Sequence, residues 1–224
     1  MKIAICNSQN WFQISDEVSK KNKILHIRKK SDLTLSLLRK FQPDLIFFPH
    51  WNWIVEKEIF NEFKCIVFHT APLPYGRGGS PIQNLIQRGH TASPVCAIAM
   101  SDGIDSGPIY DQEEISLDGS LSEIFKRLGC AVNEMMRRLI QHLPEPIEQA
   151  GEAIIFKRLG HKDNEISFDL DFEEFYNAVR MLDDSSYPSA YLKMENLVIE
   201  FSEIDRSCNE LFCRVRISSK DTFE

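Results

Sequence analysis

The chain has 224 residues, 43% hydrophobic and 26% charged, with a formal net charge of −7 at pH 7. This is the composition of a soluble globular protein with one main domain and room for a small appendage. The acidic balance disfavours non-specific nucleic-acid binding, and no apolar run approaches the ~20 residues of a membrane span.

The first residues, "MKIAICNSQN", lack the pattern of a signal peptide. A cytoplasmic protein with no membrane or nucleic-acid partner is the simplest expectation. The six cysteines lie at 6, 65, 96, 130, 208 and 213 without a CxxC pair. Cys208 and Cys213 have no second pair with which to build a zinc site, so no metal is expected.

Apolar segments "KIAIC" (2–6), "KILHI" (23–27), "DLIFF" (44–48), "KCIVF" (64–68) and "PVCAIAM" (94–100) read as strands. Several are apolar nearly throughout, as in a parallel sheet covered on both faces. Helical patterns fall between them: "SDLTLSLLRKF" (31–41), with Ser31 as cap, and "SPIQNLIQRG" (80–89), with proline at its start and glycine at its end. The strongest helix is 120–143. There Ser120 and Glu123 form a capping-box pattern, and Leu121, Ile124, Phe125, Leu128, Val132, Met135, Met136 and Leu139 keep the 3.6-residue beat. This alternation predicts an α/β domain with a predominantly parallel sheet over residues 1–155. Residues 156–224 change character. One amphipathic helix (167–182) and antiparallel strands over 187–204 and 209–218, with a turn near Met194–Asn196, predict a small α+β region that packs on the first domain.

The segment "VFHTAPLPYGRGGSP" (67–81) puts His69 just beyond an apolar strand. Functional groups of an open parallel sheet collect beyond the carboxyl ends of its strands. Pro72 and Pro74 restrict the turn, Gly76, Gly78 and Gly79 let backbone approach a ligand, and Arg77 offers a planar fork for an anion. "MSDGIDSGPIY" (100–110) adds Asp102 and Asp105 after another strand. A carboxylate beside an imidazole fixes its tautomer and stabilises its protonated form. A structural histidine and a turn-forming aspartate are the alternatives.

"HTAPLPYGRGGSPI" resembles the folate-dependent formyltransferase pattern HxSLLPxYRGxxPI, and "DSGPI" resembles that family's DxGxI segment. "DLIFFPHWNWIVEKEIF" and "YNAVRMLDDSSYPSAY" are similar to neighbouring family segments, so the resemblance covers most of 40–192. It implies a Rossmann-like formyltransferase domain and N-formyl transfer from N10-formyltetrahydrofolate to an amine. The family's catalytic trio is Asn, His and Asp. His69 and Asp105 match the last two, while Val67 stands where the asparagine belongs, with Asn52 as the candidate substitute donor. The resemblance implies one folate wall at His50, Trp51, Trp53 and Ile54 and another at Ser101, Asp102, Gly103 and Ile104.

"NSQNW" lacks the glycine-rich phosphate loop of the glycinamide-ribotide branch, and only about 70 residues follow the first domain. The chain is therefore most similar to short sugar-nucleotide N-formyltransferases, whose acceptor is a nucleotide-linked 4-amino-4,6-dideoxy sugar. A UDP-linked sugar on the pseudaminic-acid route is the specific expectation. Asn7, Ser8, Gln9, Asn10 and the loop Pro74, Tyr75, Gly76, Arg77, Gly78, Gly79 and Ser80 are expected at that acceptor. A methionyl-tRNA formyltransferase-like enzyme, or a non-catalytic folate- or nucleotide-binding protein, is the alternative. The oligomeric state stays open, a homodimer included.

Overall fold

The computed structural model describes residues 1–220. A six-stranded sheet forms its centre, built from β1 (Lys2–Asn7), β2 (Lys23–Ile27), β3 (Leu45–His50), β4 (Cys65–Thr70), β6 (Ala92–Ala99) and β7 (Ile109–Ser116), in the order β2-β1-β3-β4-β6-β7. The first four strands run parallel. β6, the "PVCAIAM" strand, is antiparallel to both β4 and β7, so the sheet is predominantly and not wholly parallel. An apolar run records burial on two faces, not direction. β7 alternates partly exposed residues with few buried ones, which hid it in the sequence.

From β1 the chain steps to β2 on one side and then to β3 on the other. The carboxyl ends of β1 and β3 are therefore a topological switch point, where open α/β sheets bind ligands. The Ser8 amide donates to the His50 carbonyl across this point, at 2.9 Å.

One face of the sheet carries Ile3, Ile5, Phe47, Ile66, Phe68, Val95 and Ala97 against α4 (Pro81–Gln87) and α5 (Leu121–Gln141). The other carries Ala4, Cys6, Ile46, Phe48 and Cys65 against α2 (Leu35–Phe41) and α3 (Lys57–Glu62). α1 (Asp16–Lys21) lies between β1 and β2 in the chain. Thr34, not Ser31, caps α2, because a short 3-10 turn over Lys30–Asp32 intervenes. α5 has the expected capping box, with the Ser120 hydroxyl accepting from Glu123 N and the Glu123 carboxylate accepting from Ser120 N. Such a cap contributes about 0.5–2 kcal/mol, whereas each fully buried Leu, Ile or Met contributes about 1.5–3 kcal/mol. The buried stripe therefore holds α5, and the cap sets its first turn.

The C-terminal region contains α6 (Phe172–Arg180) and a sheet of β9 (Ala190–Lys193), β10 (Leu197–Ser207) and β11 (Glu210–Ser219). The strand turn between β9 and β10 falls as expected, whereas α6 starts only at Phe172, where Asp171 and Glu174 form a capping box. Val179, Met181, Leu182 and Ala190 share the core of the central sheet. Buried Arg180 donates to the carbonyls of Leu117 and Gly119. The Asp183 carboxylate accepts from the amides of Glu203 and Ile204, gripping the irregular point of β10.

A two-stranded parallel ribbon completes the site. β5 (Tyr75–Gly78) pairs with β8 (Ile154–Phe156). Phe156 is buried, meets the Tyr75 ring edge-on at 5.2 Å, and lies under the Arg88 guanidinium at 4.6 Å. Replacing Phe156 by alanine removes the anchor of this ribbon. We expect unfolding free energy to fall by about 3–5 kcal/mol in urea titration, with an unchanged denaturant slope.

Candidate active site

His69 lies near the end of β4 and is buried, with one partner on each ring nitrogen. Nε2 is 2.7 Å from the Gly76 carbonyl, and Nδ1 is 3.4 Å from Asp105 Oδ2. A carbonyl only accepts, so Nε2 carries a hydrogen and Nδ1 is the nitrogen that faces Asp105. The Gly78 amide donates to the same Asp105 oxygen at 3.0 Å. This leaves Oδ1 as the carboxylate oxygen with no protein donor among the described residues.

Asp105 has left-handed backbone (φ 47°), which aspartate tolerates better than most side chains. Its turn is pinned by Gln149, whose Nε2 donates to the carbonyls of Asp105 and Gly107. Gln149 Oε1 accepts in turn from Arg77 Nε and Nη2. The expected anion fork of Arg77 is thus already spent on positioning the aspartate.

A cavity of about 950 Å³ opens beside the pair. Its wall includes His50, Trp51, Asn52, Trp53 and Ile54 after β3, and Ser101, Asp102, Gly103, Ile104 and Asp105 after β6. His69, Val67, Gly78, Gly79 and Ser80 also line it. Asp102 pairs with Lys57 at 2.6 Å, and Ser101 and Ser106 share a hydrogen bond at 3.0 Å. Ile54 and Ile104 are exposed at 87% and 68%, an unusual state for two isoleucines facing one cavity.

The structure places the remaining expected acceptor residues outside the wall. Asn7 folds its amide onto the carbonyls of Gln9 and Phe12, which shapes the turn after β1, and Asn10 is exposed on that turn. The Ser8 hydroxyl lies 3.2 Å from His50 Nδ1, behind the histidine that lines the cavity. Tyr75 packs on Phe156, and Gly76 and Pro74 face Ala71, Phe156 and Gly151.

Sequence reasoning missed the opposite wall: Trp11, Gln83, Phe125, Arg158 and Tyr187. Trp11 stacks on Phe125 at 5.2 Å and meets His50 edge-on at 5.9 Å. Arg158 and Tyr187 come from the region after 155, which the sequence offered only as appended structure. Among the described residues no group of three or more His, Cys, Asp or Glu could hold a metal, and no helix is long and apolar enough to cross a membrane.

Burial, reinforced by the Arg158 guanidinium, pushes His50 down to about 4 from an ordinary 6.5. His50 is therefore neutral at pH 7. Its unfolded form binds a proton as pH falls below 6.5, and its folded form does so only near 4, so stability is full above 6.5 and declines between these values. We expect His50→Gln to flatten that part of the stability–pH profile measured by chemical denaturation. An NMR titration should give the wild-type imidazole midpoint near 4.

The family model described as "Formyl transferase" matches residues 4–138, and that described as "Methionyl-tRNA formyltransferase, C-terminal domain" matches 161–218. A methionyl-tRNA formyltransferase from Clostridium thermocellum is similar in structure, with TM-score 0.93 and 38% identity, covering 98% of this chain and 99% of that one. HypX from Aquifex aeolicus in complex with tetrahydrofolic acid is similar in fold, with TM-score 0.74 and 16% identity over 93% of this chain and 39% of that one. So is a 4-N formyltransferase from Francisella tularensis, with TM-score 0.65 and 18% identity over 87% of this chain and 93% of that one. The chain spans about half to two thirds of the length of the curated methionyl-tRNA formyltransferases it matches. With one family model matching more than half of its residues, over the segment that carries both His69 and Asp105, the chain belongs to the formyl transferase family.

Proposed function

We propose that this chain transfers a formyl group from N10-formyltetrahydrofolate to the amine of a nucleotide-linked 4-amino-4,6-dideoxy sugar. The transfer chemistry rests on the His69–Asp105 pair, held from three sides at the edge of the cavity. The folate lies between the 50–54 and 101–104 walls in this reading. Those walls suit it: Trp53, Ile54 and Ile104 offer apolar surface, and the buried Trp51 indole N–H lacks a partner among the described residues. When bound, the donor supplies an electrophilic formyl carbon. As the amine nitrogen bonds to the formyl carbon and that carbon's bond to N10 of the folate breaks, Asp105 Oδ1 takes the proton the amine loses and passes it to the departing N10, while His69 holds the other carboxylate oxygen in place. Val67 cannot donate to the developing oxyanion, and Asn52 on the cavity wall is the side-chain amide that takes this role.

The acceptor rests on one observation. In the C-terminal region Lys157, Lys193, Arg206, Arg214 and Arg216 are each paired with a carboxylate (Asp163, Glu165, Glu173, Glu203 and Glu200), which leaves Arg158, Lys162 and Lys220 as the exposed lysines and arginines without an ion pair among the described residues. An RNA backbone calls for free cations over a broad surface. The 38% identity with the Clostridium thermocellum protein favours methionyl-tRNA as the second reading.

His69→Ala and Asp105→Asn should each lower turnover by about 10²–10⁴-fold with melting temperature little changed. The acceptor is decided by competition at moderate salt between methionyl initiator tRNA and a UDP-linked 4-amino-4,6-dideoxy sugar, with labelled formyl donor. We expect label on the sugar; label mainly on the tRNA reverses the choice of acceptor.

A further inference from the structure

The charged groups on the cavity wall are mostly spoken for. Lys57 faces Asp102, and His69 faces Asp105. Glu56 stands at the start of α3, beside Lys57. Arg158 alone among the described cations of the wall has neither hydrogen bond nor ion pair, and its side chain is exposed. Its backbone, by contrast, is fixed. Gly79 packs so closely on it that a Cβ there would lie 2.4 Å from Arg158 Cβ. On either side, the Leu159 amide donates to Ser80 Oγ at 3.1 Å, and the Lys157 carbonyl accepts from Asn84 Nδ2 at 3.0 Å.

We infer that Arg158 is the receptor for a phosphoryl group of the acceptor, in the place that Arg77 cannot fill. The geometry follows from the loop. Gly78 holds Asp105, and its neighbour Gly79 lies against the backbone and Cβ of Arg158, so adjacent residues fix where the Arg158 side chain starts relative to the proton-accepting carboxylate. An acceptor whose amine is a few bonds from a phosphate can touch both. A guanidinium matches phosphate with two parallel N–H donors, and the exposed, unpaired Arg158 at the cavity wall keeps both available. Tyr187, kept a neutral phenol by burial and with Gln83 beside its hydroxyl, adds a polar edge on the same wall. The influence of Arg158 on His50 and on Tyr187 shows that its charge is felt inside the cavity.

The inference deepens the proposed acceptor and rests on that reading for the identity of the ligand, but its test reads binding without formyl transfer. Calorimetry with inorganic pyrophosphate, UDP and a 5′-phosphorylated CCA trinucleotide is run on the wild type, Arg158→Gln, Arg158→Lys and Arg77→Gln. We expect UDP and pyrophosphate to bind the wild type, about 10- to 100-fold weaker binding in Arg158→Gln, an intermediate loss in Arg158→Lys, and a small change in Arg77→Gln. In the wild type, NMR should show the His50 midpoint moving upward as pyrophosphate neutralises Arg158, and Arg158→Gln should abolish that response. Sensitivity to Arg158 with the trinucleotide alone keeps the phosphoryl site and gives it to an RNA end. Equal binding by wild type and Arg158→Gln, or no binding of any probe to the wild type, overturns the inference. Absence of formyl transfer alongside Arg158-dependent binding overturns only the proposed activity.

Discussion

The arrangement depends on the backbone of one loop, residues 76–79. The Gly76 carbonyl sets the tautomer of His69, the Gly78 amide holds Asp105, and the Gly79 amide donates to the Phe156 carbonyl. Gly79 also admits the backbone of Arg158 at a distance no side chain allows. Four separated segments therefore meet through main-chain groups of consecutive residues. Such groups have no rotamers, so they place the ionisable side chains without further loss of side-chain entropy. The ribbon of β5 and β8 carries this precision onward, and buried Phe156 joins it to the main core.

Charge around the cavity is divided in the same way. On the Asp105 side, the carboxylate shares one oxygen between an amide and an imidazole and keeps the other free. On the far side, His50 is held neutral by burial and by Arg158, so the imidazole behind the Ser8 hydroxyl contributes polarity without charge. The guanidinium of Arg158 is then the net positive feature of that wall.

Much of this was legible in the sequence. The glycine–proline loop, His69 and Asp105 announced a strand-end site, and the capping box and apolar beat located α5. What escaped has physical reasons. The antiparallel β6 and β7 escaped because an apolar strand looks alike in either direction, and because β7 is only partly buried. Arg77 offers itself as the anion fork because it sits inside the motif. Only the fold reveals that Gln149, 72 residues away, satisfies it. Arg158 and Tyr187 carry no local signature at all. They reach the cavity because the ribbon and the turn after α6 return the chain to the central sheet.

Val67 remains the position where sequence and chemistry diverge, and the sheet clarifies what it changes. On β4, Val67 and His69 are two residues apart and point to the same face, toward the cavity. Val67 packs with the cluster of Phe48 and Trp51, so the expected asparagine is replaced by apolar contact on a wall that already holds two tryptophans. The indole N–H groups of Trp11 and Trp51 are both buried without partners among the described residues. Each such orphan costs about 1–3 kcal/mol. The His69–Asp105 pair retains its proton path, because neither of its contacts passes through Val67. In the proposed reaction the substitution therefore bears on how the oxyanion would be stabilised, not on the residues proposed to take the amine proton.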